Sequence, residues 1–244
     1  MRTFLLVIAC SLFFFSPTST QAQQSIPILI YHSIDEYTGQ GSKELFVTPK
    51  NFEQQMTYLK DHGYTLLTFE RWNEIENVDK PILITFDDGY KNNLNAYSTF
   101  QKLENSQFKP TGTIFVISDF VGRSNRLSPE DLRELANSGY FSIQSHTATH
   151  PDLTKITNYD YELKKSKEKI EQITSRPVIA LSYPYGNFSN QVIEETKKYY
   201  EFGLTTTPGQ FIKKGLKDEL YLLPRIYIKY STSLDEFASL VEGE

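Results

Sequence analysis

The stretch Pro81 to Tyr90 reads PILITFDDGY, and it decides the fold that we expect for this chain. Its apolar part, 82–86, is long enough for one buried strand and too short for a typical helix. The strand stops at Asp87 and Asp88, where Gly89 permits a turn because it has no Cβ. Two neighbouring carboxylates would then face one pocket in different orientations. The alternative is that the Asp-Gly pair is only a turn at a strand end.

The composition is that of an ordinary globular protein. The chain has 244 residues, a formal net charge of −5, 39% hydrophobic and 14% aromatic residues, which suits one large domain with a full core. Basic residues are scattered and are not interleaved with aromatic ones, so we expect no nucleic-acid partner.

Residues 1–22 have the parts of a signal peptide: a basic start, an apolar core over 4–15, and small residues before a cleavage point after Ala22. We therefore predict export, either secreted or associated with the cell surface, with 23–244 as one domain. The apolar run is short for a permanent membrane span. The single cysteine, Cys10, lies in this leader, where its surroundings resemble a lipoprotein-processing box, so a retained lipid anchor is the alternative.

Strand and helix patterns alternate about eight times after the leader. This alternation indicates an α/β fold with a parallel sheet. At this length we predict a distorted (β/α) barrel of seven to eight strands. An open doubly wound sheet is the alternative, although no glycine-rich phosphate-binding motif follows the first strand.

Several predicted strands end on polar residues of the types that carry catalysis. In a parallel α/β barrel the carboxyl ends of the strands meet at one face, so these residues should share a site. They are Asp87 and Asp88 after 82–86, His32 after 26–31, His146 and His150 after 140–144, and Tyr185 after 178–183. The fourth histidine, His62, precedes Gly63 at a helix end and is predicted to be a surface capping residue.

Two of these histidines have a spacing that suits a metal site. His146 and His150 are four residues apart, which on a helical turn brings both rings to the same side. The spacing alone is a weak signal, but Asp88 as a third ligand would give two nitrogens and one oxygen for one divalent cation. Such a site accepts Zn²⁺, Co²⁺, Ni²⁺ or Fe²⁺, and we expect Zn²⁺.

The remaining polar residues suit metal-assisted hydrolysis. A cation acidifies water and polarises a carbonyl, and Asp87 is left free to accept the water's proton. His32 comes from a different strand and could protonate a leaving amine. The alternative for His32 is a hydrogen-bonded residue at a strand end.

Three stretches resemble, in order, the first three motifs of the polysaccharide deacetylases, which have the NodB-homology fold and form carbohydrate esterase family four. They are Thr85-Phe86-Asp87-Asp88-Gly89, His146-Thr147-Ala148-Thr149-His150 and Tyr183-Pro184-Tyr185-Gly186. The resemblance implies that Asp87 is the catalytic base and that Asp88, His146 and His150 bind the metal. It also implies that the backbone N–H of Tyr185 helps to hold the oxyanion.

The motif order differs from that of most of this family. Leu29-Ile30-Tyr31-His32 looks like the leucine-x-histidine motif that carries the catalytic acid, moved from the end to the front. The circularly permuted deacetylases of poly-N-acetylglucosamine have this arrangement. A barrel closed from a different starting strand keeps the same side-chain positions, so the permutation need not disturb the site.

Two further departures concern the residues that support the site. The arginine that often orients the base is Ser182 here, and Arg225 at the start of the last strand is a possible substitute. The fourth motif of the family carries an aspartate associated with a tryptophan near the C-terminus. No such aspartate is found in this sequence, and Trp72 lies elsewhere. The sequence therefore does not show which residue adjusts the acidity of His32.

The resemblance implies an N-deacetylase whose catalytic domain is 23–244 and whose partner is a polysaccharide containing N-acetylglucosamine, extracellular or in the cell wall. The permuted order favours poly-N-acetylglucosamine over peptidoglycan or chitin. One alternative is an O-acetyl esterase acting on xylan-like glycan. Another is a glycan-binding protein with a weakened deacetylase site, suggested by Ser182 and the missing acid.

Overall fold

The structure is a computed structural model that describes residues 24–243. The predicted leader, 1–22, and its Cys10 lie outside the described residues. Between residues 24 and 243, no helix has both the length and the apolar character needed to cross a bilayer.

The main sheet has eight strands, and every pairing between them is parallel. Their order across the sheet is β7-β6-β5-β4-β3-β1-β8, and β2 pairs with the first half of β3. The strands are β1 (Ile28–Tyr31), β2 (Thr65–Leu67), β3 (Pro81–Phe86), β4 (Gly112–Val116), β5 (Phe141–Ser145), β6 (Ala180–Ser182), β7 (Phe202–Leu204) and β8 (Ile226–Tyr227).

Backbone hydrogen bonds join the two edges of this curled sheet. Leu223 N–H donates to Gly203 O at 3.0 Å and Thr205 N–H donates to Leu223 O at 2.9 Å. Arg225 N–H donates to Thr207 O at 2.9 Å, immediately before β8. The sheet therefore has the predicted form of a distorted barrel and is not an open doubly wound sheet.

The barrel is distorted between β5 and β6, which share a single register pair, Ser145 with Leu181. The side chain of buried Gln144 fills the gap beside that pair. Its Oε1 accepts hydrogen bonds from Ile179 N at 2.7 Å and from Ala180 N at 2.8 Å. The two strands thus pair only near the carboxyl end of β5, next to His146.

Alternation along β3 places its side chains in two apolar clusters. Ile82 and Ile84 pack in the cluster that includes the helices, whereas Leu83 packs in the second cluster, which includes Phe115 of β4. Because side chains alternate with a period of two, Asp87 continues the row of Leu83 beyond the strand. The base predicted from the sequence therefore follows the inner row of the barrel.

Six α-helices and several short 3₁₀ turns connect the strands within the described range. Thr48 caps the first helix by accepting a hydrogen bond from Asn51 N, and Ser128 and Asp131 form a capping box at the third. The helices are α1 (Pro49–Asp61), α2 (Leu94–Leu103), α3 (Pro129–Asn137), α4 (Ser166–Thr174), α5 (Asn190–Thr196) and α6 (Leu234–Glu242).

Candidate active site

Asp87 lies at the centre of a buried polar network. It is 2% exposed, and its carboxylate accepts two parallel hydrogen bonds from Arg225, each 2.8 Å long, and one of 2.9 Å from Ser182 Oγ. Burial would raise the pKa of Asp87, but the charges of Arg225 and His146 and the hydrogen bonds from Arg225 hold that pKa well below its ordinary value. The carboxylate is therefore ionised at neutral pH.

Arg225, which the sequence suggested as a substitute for the missing arginine, is itself 1% exposed. Besides Asp87, it donates from Nε to Thr205 O at 2.9 Å and from Nη2 to Ser182 Oγ at 2.8 Å. Ser182 occupies the position where the family often has arginine, and it joins the same network. The guanidinium thus reaches the base from the residue immediately before β8; that it orients the base during catalysis stays a prediction.

The backbone turns one residue earlier than the sequence suggested. Asp88 already has φ +72° and Gly89 has φ +63°, so the left-handed conformation begins at Asp88. A Cβ at position 89 would lie 2.8 Å from Val116 Cγ1, which favours glycine for steric reasons as well. This turn separates the directions of Asp87 and Asp88, as a division of labour between them requires.

Asp88, His146 and His150 form the one group among residues 24–243 whose side chains could hold a metal ion. Asp88 Oδ1 lies 3.6 Å from His146 Nε2 and 3.8 Å from His150 Nε2, and the three ligand atoms all lie within 4.8 Å of one another. Donor atoms that bind one tetrahedral cation at about 2.1 Å are about 3.4 Å apart. The donor types and spacing therefore fit a divalent cation.

A hydrogen bond orients the first of these histidines. His146 Nδ1 lies 2.8 Å from the carbonyl oxygen of Ser182, so Nδ1–H donates and Nε2 keeps its lone pair for a metal. Burial and the neighbouring His146 lower the pKa of His150 to about 4, so the ring of His150 is neutral at neutral pH. The orientation of His146 and the neutral ring of His150 both suit metal binding.

The segment 146–150 is not the helical turn that the four-residue spacing predicted. Thr147 has φ +67° and His150 has φ +65°, so the segment is an irregular loop. The helical premise was wrong, yet the two rings still come together, with centroids 4.6 Å apart. Hydrogen bonds within the loop, such as His150 N to Thr147 Oγ1 at 3.0 Å, replace those of a helix.

His32 follows β1 beside the two aspartates. Asn93 Nδ2 donates to its backbone oxygen at 2.7 Å, whereas its buried Nδ1 has no hydrogen-bond partner among the described residues. Burial lowers the pKa of His32, and the charges of Asp87 and Asp88 oppose that shift in part. The acid missing from the sequence is thus not replaced at Nδ1 by another described side chain.

Tyr185 lies at the rim of the site with its side chain 63% exposed and its ring centroid 4.6 Å from that of His150. Its φ of +61° is unusual for a residue with a side chain. Within residues 24–243, its backbone N–H has no hydrogen-bond acceptor. The next residue, Gly186, is tightly enclosed, since a Cβ there would lie 2.0 Å from Thr206 Oγ1.

Tyr227 was not identified from the sequence. Its ring meets that of His32 edge to face, with centroids 5.4 Å apart. Burial and the charges of Asp87 and Asp88 raise the pKa of Tyr227 to about 12, so the hydroxyl stays protonated beside the aspartates. Strand alternation was the available signal, because Arg225 and Tyr227 are two residues apart and share one face.

The curled parallel sheet and the polar centre at its carboxyl edge define an α/β-barrel enzyme of the hydrolytic class. Residues 74–202 match the sequence profile of the polysaccharide deacetylases. A relative from Bacillus subtilis (strain 168), YxkH, provisionally named a polysaccharide deacetylase, is 31% identical over 92% of this chain and 78% of its own length. The chain belongs to the polysaccharide deacetylase family, as its motifs predicted.

Solved structures extend this comparison to the fold. A polysaccharide deacetylase from Bacillus cereus is 56% identical, with a TM-score of 0.88 over 89% of this chain and 69% of that one. The deacetylase PplD of Streptococcus pyogenes, solved in complex with acetate, is 27% identical, with a TM-score of 0.80 over 90% of this chain and 99% of that one.

The poly-beta-1,6-N-acetyl-D-glucosamine N-deacetylase of Staphylococcus epidermidis is 26% identical over 83% of this chain and 74% of its own length.

Proposed function

We propose that this chain is a divalent-metal-dependent N-deacetylase of polysaccharide that contains N-acetylglucosamine, with poly-N-acetylglucosamine favoured over peptidoglycan or chitin. The observation that carries the proposal is the separation of the two aspartates. The carboxylate of Asp88 faces the two histidines, with Oδ1 3.6 Å from His146 Nε2. Asp87 is ionised and accepts hydrogen bonds from Arg225, and its Oδ2 lies 3.8 Å from His146 Nε2. One carboxylate suits metal binding and the other suits proton transfer.

Asp88, His146 and His150 would hold the cation. When bound, it supplies Lewis acidity, which acidifies water and polarises the acetamide carbonyl. Asp87 accepts the proton of the attacking water, and Arg225 keeps this carboxylate ionised and fixed in orientation. A bound cation would lower the pKa of that water, which favours transfer of its proton to Asp87 although the ion pair lowers the basicity of this carboxylate.

Two further groups act on the substrate. The Tyr185 N–H donates a hydrogen bond to the oxygen of the acetamide as negative charge develops on it. His32, on the side of the site formed by β1, acts in its protonated form, which the charges of Asp87 and Asp88 favour, and donates that proton to the nitrogen of the leaving amine. Acetate then leaves, and the glycan keeps a free amine.

The preferred substrate rests on two arguments. The Staphylococcus epidermidis relative is named for poly-beta-1,6-N-acetyl-D-glucosamine, and the position of His32 before the other motifs is shared with permuted deacetylases of that polymer. A glycan of this kind lies outside the cell. The proposal therefore includes export by the predicted signal peptide, 1–22.

Acetate release from a panel of glycans tests the function. We expect release from β-1,6-linked N-acetylglucosamine oligomers, loss of release on treatment with a chelator, and recovery on addition of Zn²⁺, Co²⁺ or Ni²⁺. Release from acetylated xylan alone would identify an O-acetyl esterase instead. Glycan binding without acetate release at saturating metal would identify a binding protein.

His32→Ala is expected to reduce acetate release by about a hundredfold to ten-thousandfold, because the leaving amine loses its proton donor. The metal content should not change, since the three proposed ligands remain. The measurement is the rate with N-acetylglucosamine oligomers, together with the metal bound per chain.

His62→Ala provides the matched control for this variant. His62 caps α1 as predicted, with Nδ1 2.8 Å from Tyr58 O, and it is not one of the residues of the site. Its replacement should leave the rate unchanged. Full activity of metal-loaded His32→Ala would rule out His32 as the acid.

A further inference from the structure

The loop that carries the two histidines depends on an acceptor outside itself. Thr147 and His150 hold left-handed backbone conformations that side chains disfavour. Between them, the N–H groups of Ala148 and Thr149 point away from any partner within the loop, and Ala148 is fully buried. A buried N–H without an acceptor is strongly unfavourable, so the N–H of Ala148 needs a partner elsewhere.

Glu162 is that partner. Its Oε2 accepts hydrogen bonds from Ala148 N at 3.0 Å and from Thr149 N at 2.9 Å, and its Oε1 accepts one from Thr149 Oγ1 at 2.7 Å. The backbone oxygen of Glu162 also accepts from Ala148 N at 3.1 Å. One residue thus binds the middle of the loop through four contacts.

The position of Glu162 differs from that of the other charged residues in its helix. The Lys/Glu pattern after Asp160 predicts a solvated face, but Glu162 is only 7% exposed. It lies in a π-helical turn, Asp160–Lys165, that precedes α4, and such wide turns are frequent at functional sites. A buried carboxylate with these partners makes charge-assisted hydrogen bonds, which are stronger than neutral ones.

We propose that Glu162 is a positioning residue that sets the affinity of the site for its divalent cation. Its carboxylate holds the loop in the strained conformation that brings the rings of His146 and His150 together. Without this anchor the loop relaxes and the ligand atoms separate before a cation binds. The inference rests on the proposed function in one respect, namely that Asp88 and the two histidines bind a cation.

Cobalt binding tests this inference without an activity assay. The metal-free protein and the variants Glu162→Ala and Glu162→Gln are titrated with Co²⁺, followed by visible absorption, and Zn²⁺ affinity is measured by competition. Glu162→Ala should weaken binding about 10- to 100-fold, the range typical of residues that orient metal ligands. Glu162→Gln keeps an oxygen for the two N–H groups and should recover part of the affinity.

Glu171→Gln is the matched control. Glu171 lies on α4 and also accepts a backbone hydrogen bond, from Val178 N at 3.0 Å, but it does not contact the loop. The affinity of Glu171→Gln for cobalt should equal that of the wild-type protein. Far-UV circular dichroism and thermal unfolding of each metal-free variant identify those that remain folded.

The outcomes separate this inference from the proposed function. A wild-type protein that binds no divalent cation would overturn the metal-dependent function itself. A wild type that binds, with folded Glu162 variants of equal affinity, would overturn only the role of Glu162. If Glu162→Ala does not fold, the affinity of Glu162→Gln decides, and an unchanged value counts against the inference.

Discussion

Asp87→Asn is expected to lower the rate of acetate release by about a hundredfold to ten-thousandfold while the protein still binds its divalent cation. Asparagine keeps the size of the side chain and can accept a hydrogen bond from Arg225, but it cannot take a proton from water. Metal binding should persist because both oxygens of Asp87 are already bonded to Arg225, at 2.8 Å each. The expected defect is therefore in chemistry and not in metal loading.

Asp88→Asn should behave differently. This variant should lose both the bound metal and the release of acetate. Asp88 Oδ1 is the carboxylate oxygen that lies within 3.6 and 3.8 Å of the two histidine Nε2 atoms. An amide oxygen is a weaker ligand than a carboxylate and carries no charge to offset that of the cation. The two neighbouring aspartates thus make opposite predictions for metal content.

Metal content per chain, measured by mass spectrometry after desalting, is compared with acetate release for both variants. Asp119→Asn serves as the control, because the side chain of Asp119 is bonded to Tyr161 and Lys169 and to none of the site residues, so the variant should leave both quantities unchanged. Circular dichroism checks that each variant is folded. Loss of metal from Asp87→Asn, or full activity in it, would contradict the division of roles.

Arg225→Met is expected to lower the free energy of unfolding by about 3–5 kcal/mol, the range observed when one partner of a buried ion pair is removed. Methionine fills part of the volume, but it leaves the carboxylate of Asp87 buried without its counter-charge. Ser182 Oγ would remain as the one other side chain that donates to that carboxylate within the described residues. This loss of stability comes more from the buried, unpaired charge of Asp87 than from lost packing.

Urea unfolding at neutral pH measures this effect. The double variant Arg225→Met with Asp87→Asn should recover part of the loss, because the stranded charge is then absent. Lys102→Met removes an exposed ion pair with Glu53 and should cost at most about 1 kcal/mol. A loss of that small size in Arg225→Met would show that the buried pair contributes little to the fold.

The dependence on pH has a definite sign. The pKa of Asp87 is lower in the folded protein than in the unfolded chain, so its ionised form stabilises the fold above about pH 4, and this contribution is lost as the pH falls. The difference between the wild type and Arg225→Met should therefore be smaller at about pH 3 than at about pH 7. A difference that does not change with pH would indicate that Arg225 acts through packing alone.

The structure brings the predicted residues together because a simple rule applies to their positions along the chain. Strands of a parallel barrel end at one face, so the polar residue after each apolar run belongs to the same neighbourhood. Asp87, His32 and the pair of histidines all follow that rule. Helix starts also depend on a few adjacent residues, as the Thr48 cap of α1 does, so local sequence determines them.

Features that depend on contacts between distant segments were not predictable in this way. Spacing alone suggested a helical turn for His146 and His150, whereas an irregular loop held by Glu162 brings them together. Glu162 was assigned with its charged neighbours to a solvated face, because helical periodicity does not reveal which single carboxylate turns inward. Gln144 likewise replaces strand pairing through a side chain, which no local pattern indicates.

The neighbours of β1 have a consequence for the synthesis of the protein. Leu29 of β1 is in register with Ile226 of β8, so the strand that brings His32 lies beside the strand that follows Arg225. A chain emerging from the ribosome makes β1 first and β8 last, so this pairing forms only after β8 has been synthesised, and contacts so distant in sequence slow folding. Until it forms, Asp87 lacks its guanidinium partner. The hydrolytic centre is thus complete only in a fully folded chain, and its activity reports that the whole barrel has closed.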